Sequence, residues 1–362
     1  MPLRVVGIDP GTRSFDIFGL EDEHVMVDVS IPSEDVALNP RLLVDLLHSL
    51  EPLDLVVGPS GYGIPLKHIS EISGEDLFLM TLVRPDDRDI PVLVGLSRVV
   101  QELKKYAFNI YFIPGVIHLP TVPPHRKVNS IDLGTADKLC VAALAVYDYS
   151  RRHGVPFRDP SILVVEVGYG YNAAIAVEHG VIVDGVGGTK AGPGFLTAGG
   201  LDGEVAYLLG TLRKDMLFKG GVKSIAGTEV EPEDFHRLTQ SSRSVKIAWD
   251  AFIEGIEKTV WSLTPVLGKV DAILLSGRLS RVEPIYNELS KRLKRIAQVE
   301  RIKGFGAKSK EAAQGAALIA NGLAGGFAKE LVEHLKIRES SGTVLDHVYI
   351  EDLKEKIIGH RV

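Results

Sequence analysis

Two stretches of this chain are built alike. In each, a short apolar run ends in a carboxylate, a glycine-containing loop follows, and a second apolar run resumes. The first is Leu3-Arg4-Val5-Val6, Asp9-Pro10-Gly11-Thr12, then Phe15 to Leu20; the second is Ile162 to Val165, Glu166-Val167-Gly168-Tyr169-Gly170, then Ala173 to Val177. Asp9 and Glu166 are 157 positions apart. A chain of 362 residues exceeds what one core usually holds. The repeat therefore predicts two related α/β halves, residues 1–150 and 151–326, followed by a helical extension over 327–362.

The first loop is not a dinucleotide fingerprint, which needs three spaced glycines and a following helix. Nor is it a Walker loop, because no lysine follows Gly11. Phe15-Asp16-Ile17-Phe18-Gly19-Leu20 reads as a strand with one buried face, so the loop closes a hairpin. The N–H groups of Gly11, Thr12 and Arg13 can form an anion-binding nest. Asp9 can hold the water shell of a magnesium ion, which takes one or two carboxylates plus phosphates. The same residue types also suit an ordinary turn.

Each half continues to an alanine-rich helix, Thr135 to Tyr149 and Ser309 to Leu323. Ala312, Ala316 and Ala320 recur at helical spacing, as do Ala313 and Ala317. Such a stripe serves plain core packing or a close helix–ligand approach. Between the helices, Asp271 to Leu275 is a buried strand leading into Ser276-Gly277-Arg278 and a helix from about Arg281 to Ile296. A glycine at the carboxyl end of such a strand is where α/β folds bind ligands. Residues 184–210 are dense in glycine, among them Gly188, Gly192 and Gly194, and offer many exposed N–H donors.

A hydroxyl acceptor would need a general base, for which Asp132, Asp137 and Asp202 are candidates. A carboxylate acceptor would need cations instead: Arg84, Arg88, Arg126, Lys127 or Lys190. Arginine suits a carboxylate best because its planar fork binds both oxygens. Ser60 and Tyr62, in a Gly/Pro loop after Val56-Val57, could line a cleft.

A net charge of −6 provides no broad cationic footprint, which argues against nucleic acid or membrane as a partner. The lone Cys140 excludes an internal disulfide and a cysteine-based zinc site. No signal-peptide pattern opens the chain, and no apolar run approaches the roughly 18 residues that span a bilayer. A cytoplasmic protein acting on a small-molecule substrate is expected.

In order and spacing these segments resemble the acetate and sugar kinase, Hsp70 and actin superfamily over roughly residues 3–325. Residues 184–210 also look like the substrate segment of butyrate and acetate kinases, and the chain is similar to an archaeal family of unassigned function related to butyrate kinases. The resemblance implies two duplicated ribonuclease H-like (actin-like ATPase) domains with a nucleotide cleft between them. It implies ATP and Mg2+ as cofactors, with Asp9 as the magnesium-water aspartate. Gly11, Thr12 and Arg13, then Glu166, Gly168 and Gly170, would be the two phosphate hairpins, and Gly277 and Arg278 the adenosine loop. Arg84, Arg88 and Asp132 join Asp9 as candidate catalytic residues. Ser60, Gly188, Thr189, Gly192, Pro193 and Gly194 would shape the acceptor site. Glu166 stands where aspartate is usual, and Arg278 where a second glycine is common. The implied activity is phosphoryl transfer from ATP to a short-chain carboxylate. A sugar or polyol kinase, or a catalytically weak nucleotide-dependent regulator or scaffold, is the alternative. Carboxylate kinases of the superfamily commonly dimerise, so a homodimer is possible. The tail, with a strand-like piece after Ser340-Ser341-Gly342, is expected on the second half or on a partner subunit.

Overall fold

The structure, a computed structural model, describes residues 2–84, 91–350 and 357. Eleven strands form two sheets among the described residues: β1 Arg4–Pro10, β2 Ser14–Glu21, β3 His24–Pro32, β4 Leu55–Val57, β5 Lys67–His68, β6 Ile110–Phe112, β7 Ile162–Val167, β8 Asn172–Glu178, β9 Val181–Val186, β10 Ala272–Ser276 and β11 Gln298–Arg301. The first sheet has the order β3-β2-β1-β4-β6-β5 and the second β11-β10-β7-β8-β9. Both carry an antiparallel meander (β1-β2-β3 and β7-β8-β9) followed by two parallel strands. The duplication extends to register. Asp9 pairs with Asp16 and Glu166 with Ala173, and the irregularity at Gly19/Leu20 recurs at Ala176/Val177, again 157 positions later.

The near-continuous apolar runs are explained by burial on both faces. Along β7, Ile162 and Val164 join the core shared with the first half, whereas Leu163, Val165 and Val167 join a second core. That second core is closed by the helices Arg243–Leu263 and Glu283–Leu293. The former buries Val245, Ala248, Trp249, Phe252, Ile256 and Val260, the spacing of one helical face; sequence reading did not single it out.

Two helices join the halves. The first connecting helix is Ala136–His153, and the second, Glu311–Leu323, crosses back from the end of the chain to pack on β1, β2, β4 and the first. The alanine stripe serves this crossing. A Cβ on Gly7 of β1 would lie 2.2 Å from the Ala317 nitrogen, and one on Gly315 would lie 2.0 Å from the Cys140 carbonyl oxygen. No described helix is long and apolar enough to cross a membrane.

The tail departs from expectation. After the short helix Lys329–His334 no strand forms up to residue 350. Val344 and Leu345 are buried in the core that both halves share, and the Asn129 N–H donates to the His347 carbonyl at 2.8 Å. The described part of the tail thus packs on the core that the two halves share.

Candidate active site

The equivalent ends of β1 and β7 face each other across one cleft between the halves. Asp9, Gly11, Thr12 and Arg13 line it from the first hairpin, and Glu166, Gly168 and Gly170 from the second. The hairpin tips touch: a Cβ on Gly170 would lie 3.2 Å from Thr12 Oγ1, and the Arg13 guanidinium stacks 4.2 Å from the Tyr169 ring centroid. The expected nest is smaller than three groups. The Gly11 N–H turns inward to the Asp9 and Ser14 carbonyls at 3.1 and 3.0 Å, which leaves Thr12 and Arg13 as the loop's candidate anion donors. Likewise the Gly168 N–H closes its own turn on the Tyr171 carbonyl at 3.1 Å.

Beneath the hairpins is a buried charge cluster. Lys310, at the start of the second connecting helix, lies 2.9 Å from both Asp9 and Asp16. Lys138, in the first turn of the first connecting helix, pairs with Asp137 and lies 3.1 Å from Glu166. Burial raises the Asp9 carboxyl, and Lys310 pulls the other way. For Asp137 burial also pushes upward, but its Lys138 partner outweighs it and the carboxyl is lowered. Glu166 shares that same ammonium and is left the weaker partner. Burial, with the charges of Asp137 and Asp9, raises its carboxyl to about 7. Its Oε2 is buried with no hydrogen-bond partner. Asp137 was among the candidate bases; Lys138 and Lys310 were not singled out. The only signal was position, each lysine lying at the first turn of an alanine-rich helix.

Asp132 also lines the cleft. Its Oδ1 accepts from the Gly134 N–H at 2.9 Å, and burial raises the carboxyl despite that bond. Gly187 fits against it and Gly188 against the Tyr171 ring, where a Cβ would come within 1.8 and 2.4 Å respectively. Gly188, Thr189, Tyr62 and Tyr171 line the cleft as well. The segment Lys214–Phe218 roofs it. Lys214 Nζ donates to the Tyr62 hydroxyl at 3.1 Å, and Phe218 packs edge-on to Tyr171. Ser60 lines the cleft, but its hydroxyl braces the backbone, donating to the Gly58 carbonyl and accepting from the Ile113 N–H.

Other expected residues are not brought in. Gly192 and Pro193 pack against Gly255 of the helix Arg243–Leu263, and Gly194 against the Gly170 carbonyl; none of the three lines the cleft. The missing side chain of Gly192 permits the close approach to Gly255. Arg84 donates to the Leu212 carbonyl at 3.0 Å outside the cleft lining, and Arg88 lies outside the described residues. Arg126, Lys127 and Lys190 donate to the Val183 and Leu119 carbonyls and to Ser130, also outside the lining. Asp202 caps a short helix. Gly277, at φ 85°, makes room for Val167 and Glu166, and only its neighbour Arg278 lines the cleft.

These groups suit a magnesium–nucleotide. The two hairpin tips and two ammonium groups complement phosphates, and Asp9 and the unpartnered Glu166 oxygen are hard donors. Among the described residues no set of three metal-ligating side chains exists. Magnesium takes few carboxylates and completes its shell with phosphates and water.

Comparison with known proteins agrees with this geometry at the level of fold. The acetate kinase of Porphyromonas gingivalis superposes with a TM-score of 0.60 over 87% of this chain and 98% of its own, at 12% identity. A propionate kinase from Francisella tularensis gives 0.61 over 87% and 98%, at 14% identity. In sequence, 171 residues are 27% identical to a "Probable butyrate kinase" of Bacteroides thetaiotaomicron, covering 44% of this chain and 48% of that protein. The chain thus spans about half the length of the curated relative it matches. The duplicated fold is thus shared with these acetate and propionate kinases. With residues 7–350 matched, the chain belongs to the family described as protein of unknown function, DUF1464.

Proposed function

We propose that this protein is an ATP-dependent phosphotransferase with a small-molecule acceptor. The observation that carries the reading is the convergence of both hairpin tips, Lys138 and Lys310 on the cleft that also holds the buried Asp132. Asp9 and Glu166 would hold magnesium with the phosphates; the metal would supply charge neutralisation on the transferring group. Catalysis then rests on positioning: the hairpins orient the phosphates, and the roof over Tyr62 and Tyr171 limits water.

The acceptor group favoured by the geometry is a hydroxyl. Asp132 is a carboxylate with a raised proton affinity between two aromatic walls, the character of a general base. A short-chain carboxylate is the second reading, supported by the partial likeness to a "Probable butyrate kinase". It would bring a second negative charge beside Asp132, while Arg84 is engaged elsewhere. The experiment is ADP release with magnesium-ATP across polyols, sugars and C2–C6 acids, with a hydroxamate trap for acyl phosphate. For a hydroxyl acceptor, Asp132→Asn lowers turnover about 10²–10⁴-fold. Hydroxamate formation that survives this substitution establishes the carboxylate reading. Failure to bind magnesium-ATP at all overturns both.

A further inference from the structure

The first hairpin has no lysine of its own, yet an ammonium group stands over it. A Cβ built on Gly11 would lie 1.9 Å from Lys310 Nζ. Any side chain at position 11 would therefore displace this ammonium, so the glycine makes room for Lys310 as well as for the turn. Lys310 reaches the hairpin from 301 residues away, and its approach is held from behind. Asp28 of β3 accepts the Lys308 and Ser309 N–H groups at 2.7 and 2.8 Å. Gln314 Nε2 donates to the Ser309 carbonyl at 3.0 Å. The ammonium is thus stationed by backbone anchors independent of its own ion pairs.

Those ion pairs are with buried carboxylates at the cleft floor, and both Asp9 and Lys310 line the cleft. Four carboxylates (Asp9, Asp16, Asp137 and Glu166) share the ammonium groups of Lys138 and Lys310, with serine and threonine hydroxyls on Asp16 and Asp137. An anion at the loop would sit beside these carboxylates, and an ammonium turned toward it would offset their charge. Lys310 is the one placed against the loop, and a lysine has three donors with which to add an anionic partner.

We propose that Lys310 is the phosphate-gripping lysine of the cleft, redirecting hydrogen bonds from the Asp9–Asp16 pair to the terminal phosphate of a polyphosphate seated on the first hairpin. This deepens the nucleotide reading and rests on it only for the identity of the ligand. The alternative is a purely structural ion pair.

Calorimetry on the full chain separates them, using magnesium with inorganic tripolyphosphate, with a non-hydrolysable ATP analogue, and with adenosine. The informative variant is Lys310→Met combined with Asp16→Asn, which removes one charge of each sign and relieves the carboxylate repulsion that Lys310→Met alone would leave. The expected result is a variant with near wild-type melting temperature that binds tripolyphosphate and the analogue about 10- to 100-fold more weakly, the worth of a charge-assisted hydrogen bond. Adenosine affinity should stay within about twofold. Equal polyphosphate affinity in variant and wild type, or a parallel loss for adenosine, overturns the assignment while leaving the nucleotide reading intact. Wild-type binding of tripolyphosphate without the analogue, lost in the variant, upholds Lys310 and overturns ATP. Wild-type binding of neither overturns both.

Discussion

The guanidinium of Arg13 lies 4.2 Å from the centre of the Tyr169 ring, joining the tips of the two duplicated hairpins across the cleft. Neither residue lies in a regular strand, and their loops belong to different sheets. The contact therefore ties the two halves together at the two hairpin loops that line the cleft. A cation–π contact of this kind contributes about 0.5 to 2 kcal/mol depending on desolvation.

Tyr169→Leu is accordingly expected to weaken magnesium–nucleotide binding about two- to tenfold, with Tyr169→Phe close to wild type. Isothermal calorimetry decides the matter. Equal affinities for all three proteins would separate the clasp from ligand binding.

Asp9→Asn should reduce the magnesium dependence of nucleotide affinity more than adenine recognition, because the proposed role of Asp9 is to hold the metal with the phosphates. The measurement is a magnesium titration of nucleotide binding, with adenosine as control. A variant that keeps the wild-type magnesium response removes Asp9 from the metal site.

Glu166 gives a pH signature to stability. Folding raises its carboxyl from 4.5 to about 7, chiefly by burial. The folded chain favours the protonated form, so this contribution is fully present below about pH 4.5 and is lost as pH rises through about 7. Glu166→Gln removes that loss. Denaturant unfolding should show the variant gaining on the wild type as pH rises across this window; parallel curves would contradict the assignment.

Gly315→Ala tests the crossing of the two connecting helices. Alanine favours a helix by about 1 kcal/mol over glycine, but the added carbon would lie 2.0 Å from the Cys140 carbonyl. Overpacking at such a contact costs about 1–3 kcal/mol, so net destabilisation is expected. A urea midpoint equal to or above that of the wild type would mean that the crossing relaxes freely.

The hairpins around Asp9 and Glu166 were legible in the sequence because a strand's hydrophobic run and a turn's residue preferences are local properties. The duplication was legible for the same reason, since local patterns recur at the same interval in both halves. The connecting helices announced themselves through alanine spacing, and Asp132 through its candidacy as a base. What tertiary structure alone decided is which charges meet. Lys310 reaches Asp9 only because the second connecting helix crosses back over β1, and Lys138 meets Glu166 only because alternate residues of β7 face different cores. Gly192, Pro193 and Arg84 had residue types suited to a site, but helix packing and a carbonyl partner claimed them instead. Local chemistry marks what a residue can do; the path of the chain through space determines what it stands beside.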